Sequence, residues 1–192
     1  MEIIKVTGYI GIFGIVFAES GLFVGFFLPG DSLLFTAGFL ASQGFINLWL
    51  TIALVFVGAV LGDSVGYSFG RKVGPKIFKK EDSKIFHKYN LKKAEAFYEE
   101  HGPKTIILAR FIPIIRTFAP IVAGIGQMHY RKFLAYNVIG GFLWAFGVTL
   151  AGYFLGKTIP GIDKYLLPII LGIIVISVIP PAIHILKSRR KK

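Results

Sequence analysis

Five ionisable residues stand inside otherwise apolar sequence: Glu19, Asp31, Asp63, Arg110 and Arg116. A charge at a bilayer centre costs at least about 2.5 kcal/mol even on the most forgiving insertion scale, so such residues need partners or a task. Their signs are segregated. One broken apolar stretch, ESGLFVGFFLPGDSLLFTAGFLASQG, carries only Glu19 and Asp31, and a second, TIILARFIPIIRTFAPIVAGIG, carries only Arg110 and Arg116. An arginine fork donates paired hydrogen bonds to a phosphate and keeps its charge when desolvated. Two arginines, half-helix N-termini and nearby carboxylates therefore describe a pocket for an anionic head group whose passage is linked to protons.

Each acid also has a simpler reading. Asp31 follows Pro29-Gly30 and could cap the helix that begins there. Glu19 could sit half solvated at an interface. Asp63 lies beside the row Gly58, Gly62, Gly66, Gly70, which lets another helix approach closely, and is expected to pair with Arg71 or with an arginine of the other half. Gly62, Gly66, Arg71, Pro29, Pro113 and Pro120 are read as supporting this frame.

Catalytic patterns are missing. There is no cysteine, no H-E-x-x-H, no Walker A, no G-x-S-x-G, and no P-S-G-H stretch of the phosphatidic-acid phosphatase type. His87, His101, His129 and His184 converge on no serine or acid. The expectation is a non-enzyme with no catalytic residue, metal or cofactor. The net charge of +12 is concentrated in one connecting segment and at the C-terminus. That placement marks the cytoplasmic flanks of membrane helices and argues against a nucleic-acid partner.

The elements that must hold these residues are apolar and helical, in a chain 54% hydrophobic with mean hydropathy +0.67. The expected class is an all-α polytopic membrane protein forming one domain over residues 1–186. Residues 1–18 form a first helix, retained rather than cleaved as a signal. Residues 46–70, 130–156 and 163–186 are full spans. Residues 19–44 and 105–127 each divide around a proline into limbs of half-membrane length, and are read as re-entrant hairpins. Residues 71–104 hold ten Lys/Arg against five Asp/Glu and make an amphipathic cytoplasmic connector. Residues 187–192 are a basic tail.

Hairpin followed by span occurs twice. Pro29 matches Pro113, and Gly66-Tyr67 with Gly70-Arg71 reads against Gly152-Tyr153 with Gly156-Lys157. One span between the hairpins makes the repeat inverted. The positive-inside rule is met with both termini and the connector cytoplasmic.

The residues Glu19, PGD at 29–31, GDSVGYSFGRKVG at 62–74, RFIPIIRTFAPIVAG at 110–124 and MHYRKFLAYNVIGGFLW at 128–144 resemble the DedA family, also called the VTT or SNARE-associated-Golgi-protein domain. The likeness covers roughly residues 10–180. The resemblance implies an inner-membrane protein of a bacterium or archaeon with two re-entrant hairpins in an inverted repeat. It also implies movement of polyprenyl-phosphate carriers or phospholipids, dependent on proton motive force. The family's functional positions fall on Glu19 and Asp31, for proton coupling, and on Arg110 and Arg116, for the phosphate. The leading expectation is thus a flippase for undecaprenyl phosphate or a related anionic lipid. The alternatives are an energy-independent phospholipid scramblase and a proton- or cation-coupled antiporter supporting membrane potential and pH. A cation path prefers acids alone, so the arginine pair favours the lipid readings. Membrane lipids and protons are the expected partners, and self-association stays open.

Overall fold

The computed structural model describes residues 2–22, 30–77, 102 and 104–158. The described residues are helical with short turns and contain no strand. The helices are α1 (Glu2–Gly21), α2 (Gly30–Ser42), α3 (Leu48–Ile77), α4 (Lys104–Arg110), α5 (Pro113–Ile125) and α6 (Tyr130–Thr158). Pro29, the span expected at 163–186, the tail 187–192 and most of the connector 71–104 lie outside the described residues. Two helices are long and apolar enough to cross a membrane, Leu48–Gly74 and Tyr130–Thr158. Their outer faces carry Leu61, Val65, Phe69, Phe142 and Leu143, all exposed. A row of large apolar side chains facing outward on two long helices is what a lipid solvent requires.

Local chemistry sets the boundaries. Asn47 opens α3, its Oδ1 accepting the Leu50 amide at 2.9 Å as an N-cap. Pro113 starts α5, and Ile112 before it is extended at φ −113, ψ 109, as a residue preceding proline must be. Pro120 lies inside α5 and has no N–H for the Arg116 carbonyl four residues earlier. Gly44, at φ +78, turns the chain between α2 and α3. With 13 residues each, α2 and α5 are about 20 Å long, too short for a hydrocarbon core of about 30 Å.

The two long helices cross-hold the short ones. The glycine row of α3 changes partner midway. Gly58 and Gly62 face Phe13, Phe17 and Ser20 of α1, Gly66 touches both Gly21 and Pro120, and Gly70 and Gly74 face Ile121 and Ile125 of α5. So α1 and α5 lie end to end along α3. Likewise Gly140 of α6 faces Ile107 of α4, while Gly152 and Gly156 face Phe35, Phe39 and Ser42 of α2.

The crossings of α2 on α6 and of α5 on α3 match residue by residue. A methyl on Gly38 would strike the Thr149 carbonyl and one on Gly152 the Phe35 carbonyl. Likewise, a methyl on Gly124 would strike the Tyr67 carbonyl and one on Gly70 the Ile121 carbonyl. Gly70 therefore corresponds to Gly152 and Gly74 to Gly156. This is one helical turn away from the Gly66/Gly152 and Gly70/Gly156 register read from sequence.

The expected boundary at 18/19 is also corrected. The first helix continues unbroken through Glu19 to Gly21. It runs in the same direction as α3, with Phe13 at Gly58, Phe17 at Gly62 and Gly21 at Gly66. Tyr9 Oη accepts the Asn47 amide at 2.7 Å, which puts the early part of α1 beside the α2–α3 turn. A crossing over 1–18 followed by a hairpin would make α1 and α3 antiparallel. Instead α1 itself descends beside α3, and its start lies at the opposite end of α3 from the connector. An N-terminus and connector on one face, as expected from parity, do not fit this geometry for the described part of α1.

Two apolar clusters enclose a polar layer. One joins Val16, Leu34, Val55, Ala59, Trp144 and Ala145, and the other Tyr67, Ile106, Ala123, Met128 and Phe133. Tyr67 stacks on Phe133 with ring centroids 4.6 Å apart, and its hydroxyl donates to the Met128 carbonyl.

Candidate functional site

Between these clusters, α1 and α4 present their C-terminal ends and α2 and α5 their N-terminal ends. Each end brings one charge: Glu19 from α1, Asp31 from the first turn of α2, Arg110 from the last turn of α4, Arg116 from the start of α5. Asp31 and Arg110 match the partial charges of their helix ends. Glu19 and Arg116 oppose theirs, each by roughly 0.3–1 kcal/mol if exposed, and compensate one another by pairing.

The charges sort into two groups. Arg110 and Asp63 form a wholly buried ion pair, with side chains 4% and 7% exposed. Arg110 also donates to Asn137 Oδ1, and Asn137 Nδ2 donates to the Val60 carbonyl at 3.2 Å. Asp63 thus takes its partner from the other half. Arg71 is not that partner; it donates to the Tyr67 hydroxyl at 2.9 Å. Burying both charges is expensive, and satisfying them through Asn137 and the backbone is what makes the cluster tolerable.

Arg116 forms the second group. It pairs with Glu19, and its Nη1 donates to Asp31 Oδ1 at 2.7 Å. Glu19 is 3% exposed, and its Oε2 is buried without a hydrogen-bond partner. A Cβ on Gly30 would overlap the Glu19 carboxylate, so any larger residue where α2 starts must push that carboxylate aside. Asp31 differs from its neighbours, its side chain being 46% exposed. The layer holds three carboxylates and two guanidiniums, one negative charge in excess when all are ionised.

Trp144 links the two groups. Its Nε1 donates to Asp31 Oδ1 at 2.7 Å, and its ring lies 4.9 Å from the Arg116 guanidinium and 5.9 Å from that of Arg110. Both are cation–π distances. The residue reading thus anticipated Glu19, Asp31, Asp63, Arg110 and Arg116, which the fold brings into one layer, and missed Asn137 and Trp144. Asn137 could have been found as the lone amide in the apolar run 133–149. Trp144 carried no sequence signal beyond lying in an apolar helix. Gly62 and Gly66 act in the α1 and α5 packing, and Pro120 is buried against Gly66.

The VTT domain family model matches residues 28–154. The chain is 52% identical over 184 residues to protein DedA of Escherichia coli K12, covering 95% of this chain and 84% of that one. It is 36% identical over 157 residues to the inner membrane protein YqjA of the same strain, covering 82% and 71%. No solved structure matches it.

Proposed function

The chain belongs to the VTT domain family, and from that premise we propose that it is a multi-pass inner (plasma) membrane transporter for an anionic lipid carrier such as undecaprenyl phosphate, assisted by the proton motive force. In this reading α1–α2 and α4–α5 are re-entrant hairpins of an inverted repeat. The matched crossings at Gly38/Gly152 and Gly124/Gly70 support that architecture. The connector and C-terminal tail face the cytoplasm, and the early part of α1 faces the other side.

The observation that carries the proposal is Arg116, held by Glu19 and by the half-exposed Asp31 at the N-terminal end of α5. A guanidinium and a helix N-terminus together favour an anion more strongly than either alone. A lipid phosphate reaching Arg116 displaces Asp31, the accessible partner. The layer already has one excess negative charge, so an added phosphate leaves it strongly anionic unless protons enter. The Glu19 Oε2, buried against the Gly30 backbone and not bonded to Arg116, offers one place for a proton, and the released Asp31 carboxylate another. Phosphate and proton then move together, down the proton gradient. Arg110, Asp63 and Asn137 hold the frame in which this exchange occurs. The chemistry is binding and release, with no bond made or broken.

The test is translocation of labelled undecaprenyl phosphate in proteoliposomes, with and without an imposed pH gradient. The wild type is expected to accelerate with the gradient, and Glu19→Gln to bind the lipid but lose that acceleration. Equal rates with and without a gradient in the wild type would replace the coupled flippase by a scramblase.

A further inference from the structure

Two donors from different helices converge on one atom. Asp31 Oδ1 receives Arg116 Nη1 from α5 and Trp144 Nε1 from α6, each at 2.7 Å. The indole ring also lies under the Arg116 guanidinium at 4.9 Å. An oxygen anion held by a guanidinium and an indole N–H is the arrangement expected of a bound phosphate oxygen, occupied here by a side chain of the protein itself. Asp31 is also the member of the cluster free to leave, being 46% exposed while Trp144 is 2% exposed. With Asp31 turned away, the buried Trp144 N–H would be left without an acceptor, which is costly.

We propose that Trp144 is a substrate-binding residue, with Asp31 Oδ1 occupying the place of a phosphate-monoester oxygen. This rests on the transport reading and adds to it a donor and an order of events. The arriving phosphate takes the Asp31 position, receives the Trp144 N–H and the Arg116 N–H, and sends Asp31 outward. The indole N–H is a neutral donor that stays in place whichever anion it serves. The site therefore favours a head group with an oxygen small enough for the Asp31 Oδ1 position, and discriminates against a neutral alcohol.

The chain has two tryptophans, and the other, Trp49, is 65% exposed at the start of α3. In a Trp49→Phe protein, emission therefore reports Trp144 alone. Farnesyl phosphate is titrated in nanodiscs, with farnesol and inorganic phosphate as separate arms, and binding is read independently by retention of radiolabelled ligand. Farnesyl phosphate is expected to shift Trp144 emission with the same midpoint as binding, and the other two arms to leave it unchanged.

Variants of the two ends of the hydrogen bond are expected to move affinity in opposite directions. Trp144→Phe, which keeps a ring but loses the N–H, weakens binding about tenfold or more. Asp31→Ala, which removes the competing oxygen, strengthens it. A merely structural bond would weaken binding from both ends. Weakening by both variants, or binding with unchanged Trp144 emission, overturns this inference and leaves the transport reading standing. A shift with inorganic phosphate at the same concentration overturns the assignment to a lipid head group. No retention of farnesyl phosphate by any of the proteins overturns both.

Discussion

Arg110 and Arg116 come from the same short stretch of sequence, six residues apart, and their surroundings differ in kind. Arg110 is sealed with Asp63 and Asn137, its Nη2 donating to both, and Asn137 is held in turn by the Val60 carbonyl. Arg116 has one buried partner, Glu19, and one accessible partner, Asp31. The first cluster has no oxygen that solvent or lipid could displace without opening the packing between α3, α4 and α6. The second has such an oxygen, at the end of a short helix. The difference teaches that intramembrane arginines of one motif need not share a role. The number of partners matters less than whether any of them can leave.

The largest test of this contrast is on the sealed pair. Asp63→Ala leaves Arg110 buried without its counterion, a loss of roughly 3–5 kcal/mol. It is expected to appear as lower thermal stability and lower membrane levels. Adding Arg110→Met should restore much of both, because removing both charges together removes the unpaired one. Failure of the double variant to recover stability would give Arg110 a role beyond holding Asp63.

Next in size is Arg116→Lys, which keeps charge and loses the fork. Transport of labelled polyprenyl phosphate should fall about ten- to hundred-fold at normal membrane levels, a lost charge-assisted hydrogen bond being worth roughly 1.5–3 kcal/mol. Full activity would mean that charge alone suffices there. Gly30→Ala is smaller. Its methyl must push the Glu19 carboxylate aside, costing about 1–3 kcal/mol as overpacking. Gly8→Ala in the open part of α1 meets nothing and should be neutral or slightly stabilising. Thermal melts of the two variants compare them directly.

The last test costs no stability and asks which end of the molecule each region opens toward. Cysteines at Val6 and Phe45, both exposed, should react with an impermeant reagent from one face of the membrane. A cysteine at His129, exposed at the opposite end of α3 and α6, should react from the other. Labelling of positions 6 and 129 from the same face would remove the parallel arrangement of α1 and α3.

Sequence by itself determined the class of the molecule and the charged residues of its polar layer. Apolar length separates α3 and α6 from the shorter α2 and α5, because a helix rises a fixed distance per residue. Charges are so costly in apolar surroundings that Glu19, Asp31, Asp63, Arg110 and Arg116 stand out wherever they occur. Proline also marked the start of α5, since it alone removes a donor. Tertiary structure decided the partners. Because α3 runs unbroken to Ile77, Arg71 stands about 12 Å along the axis from Asp63, and whether Arg110 fills the place instead depends on how α3, α4 and α6 are rotated about their axes. That rotation is set by which glycines are covered, a property of contacts between distant segments. The direction of α1 was equally hidden, because an apolar helix has the same composition whether it crosses a bilayer or descends as one limb. Tertiary contacts, Phe13 at Gly58, Phe17 at Gly62 and Gly21 at Gly66, show that it runs with α3. Trp144 was the least legible residue. An indole in an apolar helix is ordinary, and it joined the polar layer only when α2 delivered Asp31, and α5 delivered Arg116, to its edge and face.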